Sequence, residues 1–308
     1  MKIIFMGTSA FAIPSLLAIN SHHQLSAVVS QPDRPKGRGK KLAFTPVKEC
    51  ALANQLAVLQ FGDIKKEEAY EQIKALEADL IVVVSYGQII PQNILEYPSL
   101  GCINLHASLL PKYRGAAPIQ RALMAGEKLT GITTMFMDEG LDTGDIIKQV
   151  KIEISEDMDH GELETILAQK GARLLLDTIS DLQKGSYERR IQDDSEATYA
   201  GTLKKEDEII KWSDSAFAIH NRVRALSPLP GAFTMINGSK IKIFKTRVVD
   251  TDERCEIGRV CSVGNEGFTV QTGNGILEIL EIQKEGKKRM LCRDFLRGFK
   301  LNSGDILG

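Results

Sequence analysis

Asp79-Leu80-Ile81-Val82-Val83-Val84-Ser85 is an unbroken apolar run of strand length held between two polar residues. A strand with one wet face alternates polar and apolar residues. A strand without alternation is buried on both faces, as in the middle of a parallel sheet. On its N-terminal side, 2–6 is β-rich and 12–20 reads as a helix, with Pro14 suited to a first turn. A second strand is expected at 25–30, and Thr45-Pro46 pairs an N-cap with a first-turn proline to open a helix reaching about residue 55. Residues 67–78 have helical spacing. On its C-terminal side, 101–105 is a strand, 117–125 a helix, and 130–137 with 145–154 a β pair around a tight turn. A long helix follows at 160–182. Strands alternating with helices predict an α/β, doubly wound sheet. Ligands of such sheets gather at the carboxyl ends of the strands.

The pattern changes after residue 184. Residues 184–207 are polar and charged and read as a linker; a helix near 214–226 ends before Ser227-Pro228-Leu229-Pro230-Gly231. Five short β-like runs follow, at 232–236, 240–249, 258–263, 267–271 and 275–282. Such a density of short strands suits a small Greek-key β-barrel of the OB-like kind. The chain has 308 residues, which at about 150 per domain predicts two. The expected division is 1–185, a linker at 186–206, and a barrel at 207–308.

Composition excludes several classes. Hydrophobic residues at 43% and charged residues at 26% give a globular balance, not disorder or collagen. Apolar runs fall far short of the roughly 20 residues that cross a bilayer. The apolar stretch of Met1-Lys2-Ile3-Ile4-Phe5-Met6-Gly7 is too short for a signal peptide, and no small-residue cleavage site follows it. Five cysteines without a Cys-x-x-Cys pair predict free thiols in a reducing cytoplasmic setting, with neither a disulfide framework nor a zinc site. The net charge of −1 means that a polyanionic partner needs a local basic patch.

The most informative stretch is Gly101-Cys102-Ile103-Asn104-Leu105-His106-Ala107-Ser108-Leu109-Leu110-Pro111-Lys112-Tyr113-Arg114-Gly115. Residues two apart in a strand share a face, so Asn104 and His106 project together as the strand ends. An amide donor beside an imidazole can hold an oxygen that becomes negative, while the imidazole moves a proton. The same pair also suits a strand end with two satisfied polar groups. A second stretch, Met137-Asp138-Glu139-Gly140-Leu141-Asp142-Thr143-Gly144-Asp145, concentrates glycine and aspartate in a turn. It can bring a carboxylate to the imidazole or be an ordinary acidic turn. The twelve-residue ligand pattern of a calcium loop is absent. Gly7-x-Ser9 lacks the later glycine of a dinucleotide fingerprint. His22-His23, His160 and His220 read as a surface turn, a helix start and a helix face, and no metal is expected.

Asn104 through Pro111, then Tyr113-Arg114-Gly115-Ala116-Ala117-Pro118, then 138–144 resemble the folate-dependent formyltransferases. Ile4-Phe5-Met6-Gly7-Thr8-Ser9-Ala10-Phe11-Ala12 and Val83-Val84-Ser85-Tyr86-Gly87-Gln88-Ile89-Ile90-Pro91 are similar to the same family. Weaker similarity continues at Lys211-Trp212-Ser213 and Arg224-Ala225, with Leu229 where many members have Trp and Ser85 where Ala is common. The resemblance implies a Rossmann-like catalytic domain, a trio of Asn104, His106 and Asp142, and 10-formyltetrahydrofolate as co-substrate. It implies that Asp142 holds His106 and favours its charged form. The folate site implied is Ser108, Leu109, Leu110 and Pro111 with Tyr86, Gly87 and Asp138.

The acceptor is read from a different stretch. Gln31-Pro32-Asp33-Arg34-Pro35-Lys36-Gly37-Arg38-Gly39-Lys40-Lys41 packs cations among Gly and Pro. Such a loop is a solvated surface or a phosphate grip, since Arg offers bidentate contacts and Gly lets backbone approach. In the family's tRNA-acting members a basic insertion here enters the acceptor end of initiator tRNA, so the resemblance implies Arg34, Lys36, Arg38, Lys40 and Lys41 as tRNA contacts. Members acting on a small amine, such as glycinamide ribonucleotide or an amino sugar, lack it. Lys240, Lys242, Lys245 and Arg247 in the barrel suit a nucleic-acid backbone or plain solvation equally. Nothing in the sequence demands more than a monomer.

Overall fold

The computed structural model describes residues 1–36, 41–250 and 255–308. The chain divides into two compact units. The first comprises Met1–Gly115, Leu129–Glu153 and Glu164–Ala200; the second comprises Ala116–Lys128, Ile154–Leu163 and Gly201–Gly308.

The first unit is built from β1 (Lys2–Gly7), α1 (Ile13–His22), β2 (Gln24–Ser30), β3 (Arg34–Lys36), β4 (Lys41–Ala43), α2 (Pro46–Ala53), β5 (Val58–Gln60), α3 (Glu67–Lys74), β6 (Leu80–Val84), α4 (Gln92–Leu95) and β7 (Cys102–His106). After α5 (Pro118–Met124), which belongs to the second unit, come β8 (Leu129–Phe136) and β9 (Ile146–Glu153). The seven-stranded sheet has the order β5-β2-β1-β6-β7-β8-β9. Pairing is parallel from β5 to β7 and antiparallel for β7–β8 and β8–β9. All five residues of β6 are buried, as its unalternating sequence requires. The strand order reverses between β1 and β6, so the ligand crevice of this topology opens over the ends of those strands.

Local signals act as read. Thr45 caps α2, its Oγ1 accepting from the Lys48 amide at 3.1 Å, and Pro46 is the first helical residue. In the long helix α6 (His160–Lys184), residues up to Leu163 belong to the second unit and those from Glu164 onward to the first. A Cβ at Gly171 of α6 would lie 2.7 Å from Leu105 Cδ2, so glycine there lets the helix approach β7.

The second unit adds α7 (Ala216–Ala225), β10 (Ala232–Ile236), β11 (Ser239–Val249), β12 (Val260–Val263), β13 (Phe268–Gln271), β14 (Ile276–Lys284), β15 (Met290–Leu291) and α8 (Cys292–Leu296). The sheet order is β10-β11-β14-β13-β12, with β15 on β14 and all pairing antiparallel. The C-terminal segment joins the two outer strands. Leu307 bridges Ile236, Ile306 bridges Arg259, and the Gly308 amide donates to the Met235 carbonyl at 3.0 Å. Trp212, Val223, Ile243, Phe268 and Leu277 are among the residues of its core.

A register shift in β11 between Ile243 and Thr246 resets the alternation. Lys245 and Arg247 therefore stay exposed beside buried Phe244 and Thr246. Little of this charge is unengaged: Arg247 pairs with Glu278 at 2.6 Å, Lys240 lies over the Phe233 ring, and Lys242 donates to the Pro230 carbonyl. One expectation is corrected. Cys255 and Cys261 are joined in a disulfide, because the turn between them brings their Cα atoms to 5.8 Å. Cys50, Cys102 and Cys292 are free. Among the described residues, no helix is long and apolar enough to cross a membrane.

Candidate active site

β7 pairs with β6 beside the strand-order reversal, so its carboxyl end, with the face that carries residues 104 and 106, borders the crevice. Asn104 and His106 lie on that face, with 9% and 6% of their surfaces exposed. Asp142 joins them from the turn between β8 and β9. Its Oδ2 stands 3.6 Å from His106 Nδ1, an ion-pair distance rather than a hydrogen bond. Its Oδ1 accepts from Asn104 Nδ2 at 3.4 Å, and Oδ2 accepts from the Gly115 amide at 2.8 Å. The other ring nitrogen, His106 Nε2, lies 2.9 Å from the Tyr113 carbonyl. A carbonyl only accepts, so Nε2 carries a hydrogen and Nδ1 is the nitrogen turned toward the carboxylate. Amide, imidazole and carboxylate thus meet at one point, over backbone that fixes two of them.

The Asp142 turn is braced internally. Asp138 Oδ1 accepts from the Gly140 amide at 3.0 Å and from Thr143 Oγ1 at 2.6 Å. A Cβ at Gly144 would fall 1.9 Å from the Phe136 carbonyl, so only glycine closes this turn. Asp138 spends its carboxylate on the turn.

The expected folate residues separate into two groups. Ser108 is fully buried and its Oγ donates to the Lys112 carbonyl at 2.6 Å, shaping the loop after β7. Leu110 packs with Met135 and Ile146. Leu109 and Pro111 are half-buried. These residues build the wall more than they offer groups to a ligand. Tyr86 and Gly87 instead follow β6 at the strand-order reversal. Gly87 has φ +89°, a backbone that favours glycine. Thr8, at the end of β1, donates from Oγ1 to the Tyr86 carbonyl at 2.7 Å and accepts from the Gln31 amide at 3.4 Å. Three strand ends are thereby tied together.

Among the described residues, two buried polar atoms of residues at these strand ends have no partner: the hydroxyl of Tyr86, whose side chain belongs to the core cluster with Ile4, Met6 and Phe61, and Gln31 Nε2. Burial pushes the Tyr86 phenol up to about 12, so it is a neutral donor at ordinary pH. Orphaned buried donors cost stability unless a ligand takes them up. A pterin ring, flat and rich in acceptors and donors, suits such a site. Gln31 is a residue that sequence reasoning passed over as the start of the basic loop.

Of that loop, Arg34 is exposed on β3, which pairs with β4. Lys36 and Lys41 are the facing ends of those strands. Arg38 and Lys40 lie outside the described residues. Among the described residues, no group of three or more His, Cys, Asp or Glu side chains could hold a metal ion.

Sequence reading also missed the segment after α6. The Arg114 guanidinium is 2% exposed, and donates to Gln192 Oε1 and to Asp194 Oδ1. Thr198 Oγ1 accepts from the Tyr113 amide at 2.8 Å. Only a basic residue among loop formers marks Arg114 in the sequence, and nothing there shows that it is buried.

Comparison with known proteins gives the family. The formyl transferase family profile matches residues 1–179, and the formyl transferase C-terminal domain profile matches residues 202–300. The chain belongs to the formyl transferase family. A methionyl-tRNA formyltransferase of Syntrophomonas wolfei is 58% identical to this formyl transferase, over 100% of this chain and 99% of that protein. That of Ruminiclostridium cellulolyticum is 49% identical over the whole of both chains. Among solved structures, a methionyl-tRNA formyltransferase from Clostridium thermocellum aligns with a TM-score of 0.55 at 20% identity, covering 81% of this chain and 94% of that one. An N-formyltransferase from Helicobacter canadensis, in complex with folinic acid and dTDP-3-aminofucose, aligns with a TM-score of 0.68 at 23% identity, covering 92% and 99%. At such identities these structures speak for the fold of this formyl transferase.

Proposed function

We propose that the chain transfers the formyl group of 10-formyltetrahydrofolate to the α-amine of methionine on initiator tRNA, for translation initiation. The observation that carries this reading is the meeting of Asn104, His106 and Asp142 at the end of β7. The neutral amine attacks the formyl carbon, and the carbonyl oxygen becomes an oxyanion. Asn104 Nδ2 and a hydrogen on His106 Nδ1 donate to that oxygen. Fixed donors aimed at developing charge are worth about 10²–10³ in rate each. Asp142 holds the imidazole and takes the amine proton, directly or through water. The intermediate collapses with N10 of the folate as leaving group, reprotonated as it departs. The pterin lies over the ends of β1, β2 and β6, where Tyr86 and Gln31 carry unpartnered donors.

The division of labour we assign is that of the sequence reading. Residues 1–185 carry catalysis and 207–308 bind tRNA, with 186–206 between them. Arg34, Lys36, Arg38, Lys40 and Lys41 grip the acceptor end. The enzyme works as a cytoplasmic monomer. The test is a comparison of acceptors under saturating 10-formyltetrahydrofolate: charged initiator tRNA, glycinamide ribonucleotide and a dTDP-linked amino sugar. Formylation of the tRNA alone is the expected outcome. Turnover on a small amine, with none on tRNA, would overturn the acceptor assignment and leave the chemistry standing.

A further inference from the structure

Asp142 has φ +54°, in the left-handed region that favours glycine. A residue with a Cβ stays there when its surroundings over-determine it. Gln192 supplies that determination. Its side chain is buried, and Nε2 donates to the main-chain carbonyls of Asp142 and Gly144, both at 2.8 Å. Its Oε1 accepts from Arg114 Nε at 3.1 Å and Nη2 at 2.9 Å. Two donors and two lone pairs are all used.

The neighbours of Arg114 touch the catalytic pair directly. Tyr113 before it accepts from His106 Nε2, and Gly115 after it donates to Asp142 Oδ2. Its own amide donates to the Thr198 carbonyl at 2.8 Å, and its carbonyl accepts from the Ala200 amide at 2.7 Å. Residues 190–200 thus complete a ring of hydrogen bonds around His106 and Asp142. Gln192 is the member that reaches the carboxylate's own backbone.

We propose that Gln192 is a positioning residue for formyl transfer: polarised by Arg114, it sets the Asp142 main chain so that the carboxylate meets His106 and Asn104. The proposal rests on the catalytic assignment of Asp142 made above. A side-chain amide is suited because it joins two donors and an acceptor in one plane. Glutamate has the same length and keeps the link to Arg114, but turns a carboxylate oxygen toward two carbonyls. Methionine keeps the length and loses all polarity. Asparagine keeps the amide but is one methylene too short for both ends.

The experiment measures kcat, the KM for 10-formyltetrahydrofolate and thermal melting for Gln192→Glu, Gln192→Met and Asp142→Asn beside the parent. A misplaced catalytic group costs about 10²-fold in rate. We expect both Gln192 variants to lose about 10- to 100-fold in kcat with the folate KM unchanged, and Asp142→Asn to lose more. A merely structural role would lower the melting temperature and the active fraction together, and move kcat no further than that fraction. Gln192→Glu keeps a link to Arg114, as an ion pair in place of the hydrogen bonds, and decides the matter if Gln192→Met does not fold. Parental kcat in Gln192→Glu, with Asp142→Asn inactive, overturns the positioning role alone. Parental kcat in Asp142→Asn overturns the catalytic assignment beneath it.

Discussion

His106 Nδ1 faces Asp142 Oδ2 across 3.6 Å, while the opposite nitrogen of the ring is held by the Tyr113 carbonyl at 2.9 Å. One nitrogen is fixed by backbone and the other is presented to the chemistry. Asp142→Ala, which removes the carboxylate facing that nitrogen, and Asn104→Ala, which removes the amide that donates to the same carboxylate, are each expected to lose at least about 10² in kcat. Circular dichroism and folate binding should remain those of the parent. Turnover near the parent's in either folded variant removes that residue from the mechanism.

Tyr86→Phe separates binding from stability. The hydroxyl is buried without a partner, so its removal should leave thermal stability unchanged or raise it. Folate affinity should fall by about 10-fold, the worth of a hydrogen bond near 1.4 kcal/mol. Isothermal titration with a folate analogue and a melt of the free protein report the two effects. A variant that binds folate as well as the parent would place the pterin elsewhere.

The same phenol predicts an alkaline limb. Its pKa rises from about 10 in an unfolded chain to about 12 when folded. The unfolded state then loses its proton first, so this contribution is intact below pH ~10 and is lost as pH climbs toward ~12. Burial also raises the Cys102 thiol, which adds to the decline at high pH. Tyr86→Phe should flatten the fall in stability above pH ~10, and urea titrations at several alkaline pH values measure it.

Neutralising Arg34, Lys36, Arg38, Lys40 and Lys41 should weaken tRNA binding and flatten its dependence on salt. For every phosphate that is no longer neutralised, the slope of log K against log salt shrinks by roughly 0.7 to 0.9. Folate KM should not change. Filter binding of tRNA across a salt series gives the slope, and an unaltered slope makes the loop plain surface.

Thr234→Val tests the second unit. Trp212 Nε1 donates to Thr234 Oγ1 at 3.0 Å, with both residues buried. Valine preserves shape and leaves the indole N–H without an acceptor, at a cost of about 1–3 kcal/mol. Trp212 is the only tryptophan in the chain, so its fluorescence in urea follows this unit by itself. A midpoint equal to the parent's would show that the bond contributes nothing net.

Much of this was legible in short-range pattern. The unalternating 79–85 run located the buried strand, and the two-residue spacing put Asn104 and His106 on one face. Thr45-Pro46 marked a helix start through chemistry confined to one turn. What escaped was long-range. Gln192 sits in a polar stretch that read as a linker, yet its amide bonds residues 78, 50 and 48 positions away. Arg114 read as a loop cation because burial of a guanidinium depends on partners distant in sequence. The Cys255–Cys261 bond escaped because it depends on how the intervening turn closes. The short β15 and α8 carry too few residues for a periodic signal.

The most direct test is single-turnover formyl transfer to methionyl initiator tRNA by His106→Ala, pre-saturated with 10-formyltetrahydrofolate. The expected result is retained folate affinity with transfer slowed at least about 10²-fold. A folded, folate-bound His106→Ala that formylates the tRNA at the parent's rate would contradict the proposed chemistry.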